Sequence, residues 1–407
     1  MSRNNRTVIS TVFFAVVVAL TGSLVMFLGS VAQAASPSHR AVAAKANAPH
    51  EMTELLASNA WTGDNFGWSV AVSGSTAVVG APYAGSYGGA AYIFTKTGSS
   101  WTQVQTLTAS DAAPGYEFGW SVAISGTTVA VGSPGADYGL GRAYVFTDSG
   151  GVWTQASEFS ATDDLGGDKF GWSVVTSGSL VMVGADGHSA RTGAVYVFAD
   201  NAGTWTQQAE FSANDGRTGD MFGWSMAVSG STLVVSAVGH AANGAIYVFT
   251  GSGGTWTQEA ELTAIDGEAD DYFGDKVAIS GNRIVAGAPG HNSVTGAAYV
   301  FSGAGTHWTQ VGELTASDGA DNNCFGWSVG FSGTTVLVGA EQHNAGAGAV
   351  YVFKKAGSGW KQKAELAPGD AASGNEFGYS TSISGTTAVI GADNAEAGAG
   401  SAYIFNI

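Results

Sequence analysis

A Phe-Gly pair recurs seven times along the chain, at Phe66, Phe118, Phe170, Phe222, Phe273, Phe325 and Phe377. The spacing is 52 residues at every step but one, where it is 51. So regular a period means one supersecondary unit copied seven times, each copy burying its apolar face against its neighbours.

The second copy reads as four strands. Phe118 to Ile124 alternates large and small side chains with the two-residue period of a strand. Ser125-Gly126-Thr127 is a tight turn, Thr128 to Val131 a second strand, and Gly132 to Gly141 a longer Gly-rich loop. Ala143 to Phe146 gives a third strand and Trp153 to Thr162 a fourth, with Gly and Pro confined to the connections. No helix is expected in the repeats. Phe118, Trp120, Val122 and Ile124 form a bulky face, opposite a smooth face suited to the next copy. Seven such units make an all-β, seven-bladed β-propeller of four-stranded antiparallel blades. The last copy stops at Phe405 without a fourth strand, while Met52 to Ser58 matches one. Residues 51–58 should therefore complete the last blade and close the ring, which removes free sheet edges.

The residues ahead of the repeats have another character. Arg3 and Arg6 precede an apolar run from Val8 to Val31, and Ala32-Gln33-Ala34 ends it with small residues. Residues 1–34 read as a secretory signal with cleavage after Ala34, with an uncleaved membrane anchor as the alternative. Residues 35–50 read as a linker, and the propeller spans 51–407. The signal takes two of the 15 basic residues and none of the 32 acidic ones, so the remainder carries −19. That charge argues against nucleic acid and suits a secreted, extracellular monomer. Cys324 is the only cysteine, which excludes an intramolecular disulfide and reads as a semi-buried small residue.

Phe-Gly opening a unit, with Gly-Ala-Pro at 80–82 and 287–289 and Gly132-Ser-Pro134 as a near match, resembles the FG-GAP repeat of integrin α-subunit propellers. The likeness to bacterial FG-GAP repeat proteins is greater and covers residues 51–407. It implies the propeller fold and a class that serves adhesion, carbohydrate binding and catalysis alike. Kelch and WD40 units lack the Phe-Gly-x-Ser-Val opening. The integrin calcium loop does not carry over. The connection it occupies is here a tight Ser-Gly hairpin, too short for six to eight oxygen ligands.

Two polar sets fall on loops of one face, the top, where the first strand of each blade begins. Seven residues before each Phe stand Asp111, Asp163, Asp215, Asp266, Asp318 or Asp370, with Asn59 in the first copy. Closer to the Phe come Asp64, Asp168, Asp220, Asp270, Asp271 and Asp321. Asp163 with Asp168, Asp215 with Asp220, Asp266 with Asp270, and Asp318 with Asp321 are candidate metal ligands, calcium included. Repetition of the device in nearly every copy favours turn capping, in which Asp and Asn accept bonds from nearby backbone amides. His188, His240, His291 and His343, each 18 residues after its Phe, are the second set and the candidate ligand-binding residues. Equivalent atoms of adjacent blades lie about 10 Å apart, so four histidines cannot share one metal. Separate His–Asp pairs remain open, as does simple spread by duplication.

Asp275-Lys276 stands where the other copies have Trp-Ser or Tyr-Ser and reads as a local ion pair. Trp101, Trp153, Trp205, Trp256 and Trp308 repeat along the fourth strands and read as cover for the blade edge. No catalytic residues and no cofactor are implied. The expected function is a secreted, non-catalytic module binding an extracellular glycan or protein through top-face loops. A polysaccharide-active hydrolase or lyase over the central channel is the alternative, and a cell-envelope scaffold a third.

Overall fold

The computed structural model describes residues 48–163 and 166–407. The expected signal, its Ala34 cleavage site and the linker up to residue 47 lie outside the described residues. The repeats form seven four-stranded antiparallel sheets, each in simple meander order. Blade 3 is typical, with strands Ser173–Ser177, Leu180–Ala185, Ala194–Asn201 and Thr204–Phe211. The last blade orders His50–Leu55 beside Ser401–Asn406, then Thr387–Ala392 and Ser380–Ser384. The N-terminal strand thus closes the ring, starting one residue earlier than the sequence suggests.

The two halves of the repeat motif meet at the seams between blades. A Cβ on Gly80 would come within 2.1 Å of the Gly119 carbonyl oxygen in the next blade, and one on Gly391 within 1.9 Å of Gly67 O. Gly119 itself sits at φ +95°, where side chains are strained. Only glycine on both sides permits this approach. A serine latch accompanies it: Ser69 Oγ donates to Gly119 O (2.8 Å), Ser121 to Gly171 O (2.9 Å) and Ser328 to Gly378 O (2.6 Å). The seam between blades 4 and 5 departs from this, since Ser236 replaces the glycine and Ser225 Oγ accepts the Val277 N–H instead (3.1 Å).

One expectation needs correction. Phe and Trp do not share a strand face, because in every blade but the fourth the Phe-Gly pair and the residue after it lie ahead of the first strand, which begins at the following residue or later. The Phe turns into its own blade, as Phe170 does against Tyr196 and Phe198 with centroids 5.3 and 6.0 Å apart. The Trp goes to the axis. The Gly-rich loop between the second and third strands holds one short turn, such as His188–Arg191. Its central residues Ser189 and Ala190 lie at φ 50° and 58°, so the turn is left-handed rather than α-helical.

Candidate functional site

Two arrangements occupy the top face. The first lies on the axis. Trp68, Trp120, Trp172, Trp224, Trp327 and Tyr379 ring the mouth of a cavity of about 440 Å³. Neighbouring rings stand 4.7 Å (Trp68–Trp120), 4.8 Å (Trp120–Trp172), 4.9 Å (Trp172–Trp224) and 4.9 Å (Tyr379–Trp68) apart. All six are half-buried. Asp275 and Lys276 interrupt the ring in blade 5. Lys276 Nζ pairs with Asp275 Oδ2 at 3.2 Å, and Trp224 Nε1 donates to Asp275 Oδ1 at 3.1 Å. The expected ion pair is present.

The second arrangement repeats on the rims of blades 3 to 6. In blade 3, His188 begins the left-handed turn and its Nδ1 is 2.9 Å from Asp168 Oδ2, both groups buried. A neutral ring whose Nδ1 donates to that carboxylate presents a bare Nε2 lone pair outward. Nε2 faces Asp163 Oδ2 at 3.7 Å, and Glu210 from the fourth strand completes a set whose ligand atoms lie within 4.8 Å of one another. Tyr196 on the third strand donates to the other oxygen of Asp163 (3.0 Å) and fixes that carboxylate. Burial, the nearby Glu210 charge and the bond to Asp163 hold the tyrosine far above its ordinary range.

Blade 4 repeats the set with His240, Asp220 (2.9 Å), Asp215 (3.6 Å) and Glu261 (3.6 Å). Blade 5 uses His291, Asp271 (2.9 Å), Asp266 (4.0 Å) and Glu313. Blade 6 uses His343 with Asp318 (3.8 Å) and Glu365 (3.6 Å). There Asn323 replaces the buried aspartate, its amide nitrogen 3.0 Å from His343 Nδ1. A neutral amide thus stands behind this imidazole where the other three blades have a carboxylate.

The four histidines therefore each join a carboxylate set, and Asp163, Asp168, Asp215, Asp220, Asp266 and Asp318 join them. Asp270 and Asp321 do not. Both lie on exposed turns, and the residues two before the Phe, Asp271 and Asn323, take the places expected for them. The glutamates Glu210, Glu261, Glu313 and Glu365 were not anticipated. All stand 12 residues before the next Phe, an offset that could have revealed them. In blades 4 and 5 the buried aspartate also shapes the turn ahead of the blade, since Asp220 Oδ2 accepts the Arg217 N–H (2.8 Å) and Asp271 Oδ2 that of Glu268 (2.8 Å).

Blade 2 supplies an internal comparison. Ala136 stands at the histidine position, yet Asp111 and Glu158 keep the acidic pair. Arg142 fills the space between them. Its guanidinium bonds Glu158 and Asp137 and approaches Asp111 at 3.8 Å. Blade 1 has neither cation nor acids there, only Asn59 and Thr106.

Three more carboxyls lie beneath the top face where other copies have the Pro of Gly-Ala-Pro or a Val. Burial pushes Asp186 up to about 6, Asp393 to about 7 and Glu341 to about 8, the last raised further by the charge of Glu376. Burial likewise raises the Cys324 thiol to about 11, which keeps it protonated and unreactive at neutral pH. Trp101 and Trp153 are buried against the blade edges.

A family model for the FG-GAP repeat matches residues 50–94, 101–146, 153–198, 205–249, 256–301, 308–353 and 360–405. Each match starts at the outer strand of one blade and ends on the third strand of the next, which is the same offset that closes the ring. No curated protein matches the chain.

Proposed function

This chain belongs to the FG-GAP repeat family, and from that premise we propose that it is a secreted, non-catalytic binding module that recognises an extracellular glycan through its top face. The propeller fold suits a binding or scaffold module. The observation that carries the finer reading is the aromatic mouth. A cavity of about 440 Å³ walled by six half-buried aromatic rings falls in the size range of small-ligand sites, about 300–1,000 Å³. Apolar faces of sugar rings stack on such walls, and Asp275 with Lys276 offers hydrogen bonds at the one gap. The concavity favours a glycan over a flat protein epitope. A hydrolytic reading is less well supported, because glycoside hydrolysis uses two carboxyl groups about 5–10 Å apart. The cavity lining holds one, Asp275, already engaged by Lys276 and Trp224.

The test is a glycan-array screen of the purified protein, followed by Trp120→Ala and Lys276→Ala. Binding of at least one glycan class, weakened about tenfold or more by either substitution with the fold intact, is the expected result. Failure to bind any glycan, or equal binding by both variants, would overturn the reading and move weight to a protein partner or a scaffold.

A further inference from the structure

We propose that blades 3, 4, 5 and 6 each carry a site for a divalent transition-metal ion of the zinc or manganese class. Each ion would be held by the histidine Nε2 and one oxygen each from the Asp and the Glu: His188 with Asp163 and Glu210, His240 with Asp215 and Glu261, His291 with Asp266 and Glu313, His343 with Asp318 and Glu365. This goes beyond the glycan reading and does not depend on it.

The spacing is the first argument. Nε2 lies 3.6 to 4.0 Å from the Asp oxygens, and 3.6 Å from the Glu oxygens of blades 4 and 6. A protonated imidazole bonded to those carboxylates would close to about 2.7–2.9 Å. Two ligands about 2.0–2.2 Å from one ion at tetrahedral angles stand about 3.3–3.6 Å apart. The separations are too long for hydrogen bonds and close to those of atoms around a shared ion.

Orientation is the second. In blades 3 to 5 a buried aspartate bonds Nδ1 at 2.9 Å, which directs the Nε2 lone pair at two carboxylates. A lone pair facing two negative groups is repulsive unless a cation lies between. The same carboxylate behind the ring is the usual support for a histidine metal ligand.

Blade 2 is the third and independent argument. Where the histidine is missing, the equivalent acidic pair encloses the Arg142 guanidinium. Where Arg and His are both missing and the acids too, as in blade 1, no cation is needed. In blade 2 the place between the carboxylates is thus filled by a cation from within the chain, whereas in blade 7 the equivalent pair, Asp370 and Glu54, has neither Arg nor His and Ser401 donates to Glu54 instead (2.8 Å). One nitrogen with two carboxylate oxygens suits zinc or manganese better than calcium, which takes oxygen ligands. Three protein ligands leave a coordination position open toward solvent. Blade 6 should bind most weakly, since the neutral Asn323 amide replaces the carboxylate behind the ring and loss of such support costs about 10–100-fold in affinity.

The experiment is calorimetric titration of the purified, chelator-treated protein with zinc chloride and with manganese chloride, and elemental analysis of retained metal. Three similar sites and one weaker site are expected. His240→Ala should remove one. The combined Glu210→Gln, Glu261→Gln, Glu313→Gln and Glu365→Gln variant, whose partly exposed side chains leave the fold intact by circular dichroism, should weaken all of them about tenfold or more. No stoichiometric uptake of either metal would overturn the proposal. So would the same number of ions, at the same affinity, in the combined glutamine variant.

Discussion

Ring closure by the N-terminal strand makes a prediction whose size follows from one buried side chain. Leu55 is 2% exposed and packs in one cluster with Phe66, Ala402 and Ile404, on the strand whose Cα partners run from His50 opposite Asn406 to Leu55 opposite Ala402. Leu→Ala in such a site costs about 3 kcal/mol. Unfolding entropy near 2.1 cal/mol/K per residue gives about 0.75 kcal/mol/K for a propeller of this size, so the midpoint should fall by about 4 °C. Leu56, next in the chain and 49% exposed, is the control, and Leu56→Ala should shift it by less than about 1 °C. Deleting residues 48–58 removes the whole strand, including the bonds that the Gly369 N–H donates to Glu51 (2.9 Å) and the Ser401 hydroxyl to Glu54 (2.8 Å). It bares the edge of Ser401–Asn406, and the protein should self-associate on a sizing column. Scanning calorimetry and column elution read both effects. An unchanged midpoint for Leu55→Ala together with a monomeric deletion variant would refute closure by this strand.

Two further outcomes concern buried groups. Glu341 and Asp393 hold protons in the fold that the unfolded chain releases in the ordinary carboxylate range, so their contribution is fully present below about pH 4 and is lost as pH rises through 7 to 8. Thermal midpoints should decline between pH 5.5 and 8.5, by at most about 1.4 kcal/mol per pH unit for each group. Glu341→Gln should flatten that slope, and an unaltered slope would remove Glu341 as its source. Ser328→Ala deletes a buried bond to the Gly378 carbonyl and should cost about 1 kcal/mol in chemical denaturation. A neutral result would mean the latch adds nothing to the seam.

The Phe-Gly period made architecture and closure legible because a repeat must satisfy the same contacts seven times. It also placed the histidines. What escaped it depended on three-dimensional proximity. Asp270 and Asp321 looked as good as Asp168 and Asp220, yet only the residue two before the Phe lies beneath the imidazole, because the turn there folds back under the left-handed loop. Glu210 and its equivalents drew no notice as single residues of the outer strands, although their carboxylates lie within reach of the histidines. Trp120 looked like packing between blades. The early start of the Phe-Gly turn instead sends it to the axis, among Trp68 and Trp172. The role of Arg142 emerges only when its position is laid over that of the histidines.

Glycan binding at the axial mouth of the top face, as proposed above, is tested most directly by a crystal structure of the protein with the strongest glycan from the array. Sugar density against Trp68, Trp120, Trp172 or Tyr379, near Asp275 and Lys276, is the predicted result. Density on the outer strands or the opposite face, with the mouth free of sugar, would contradict it.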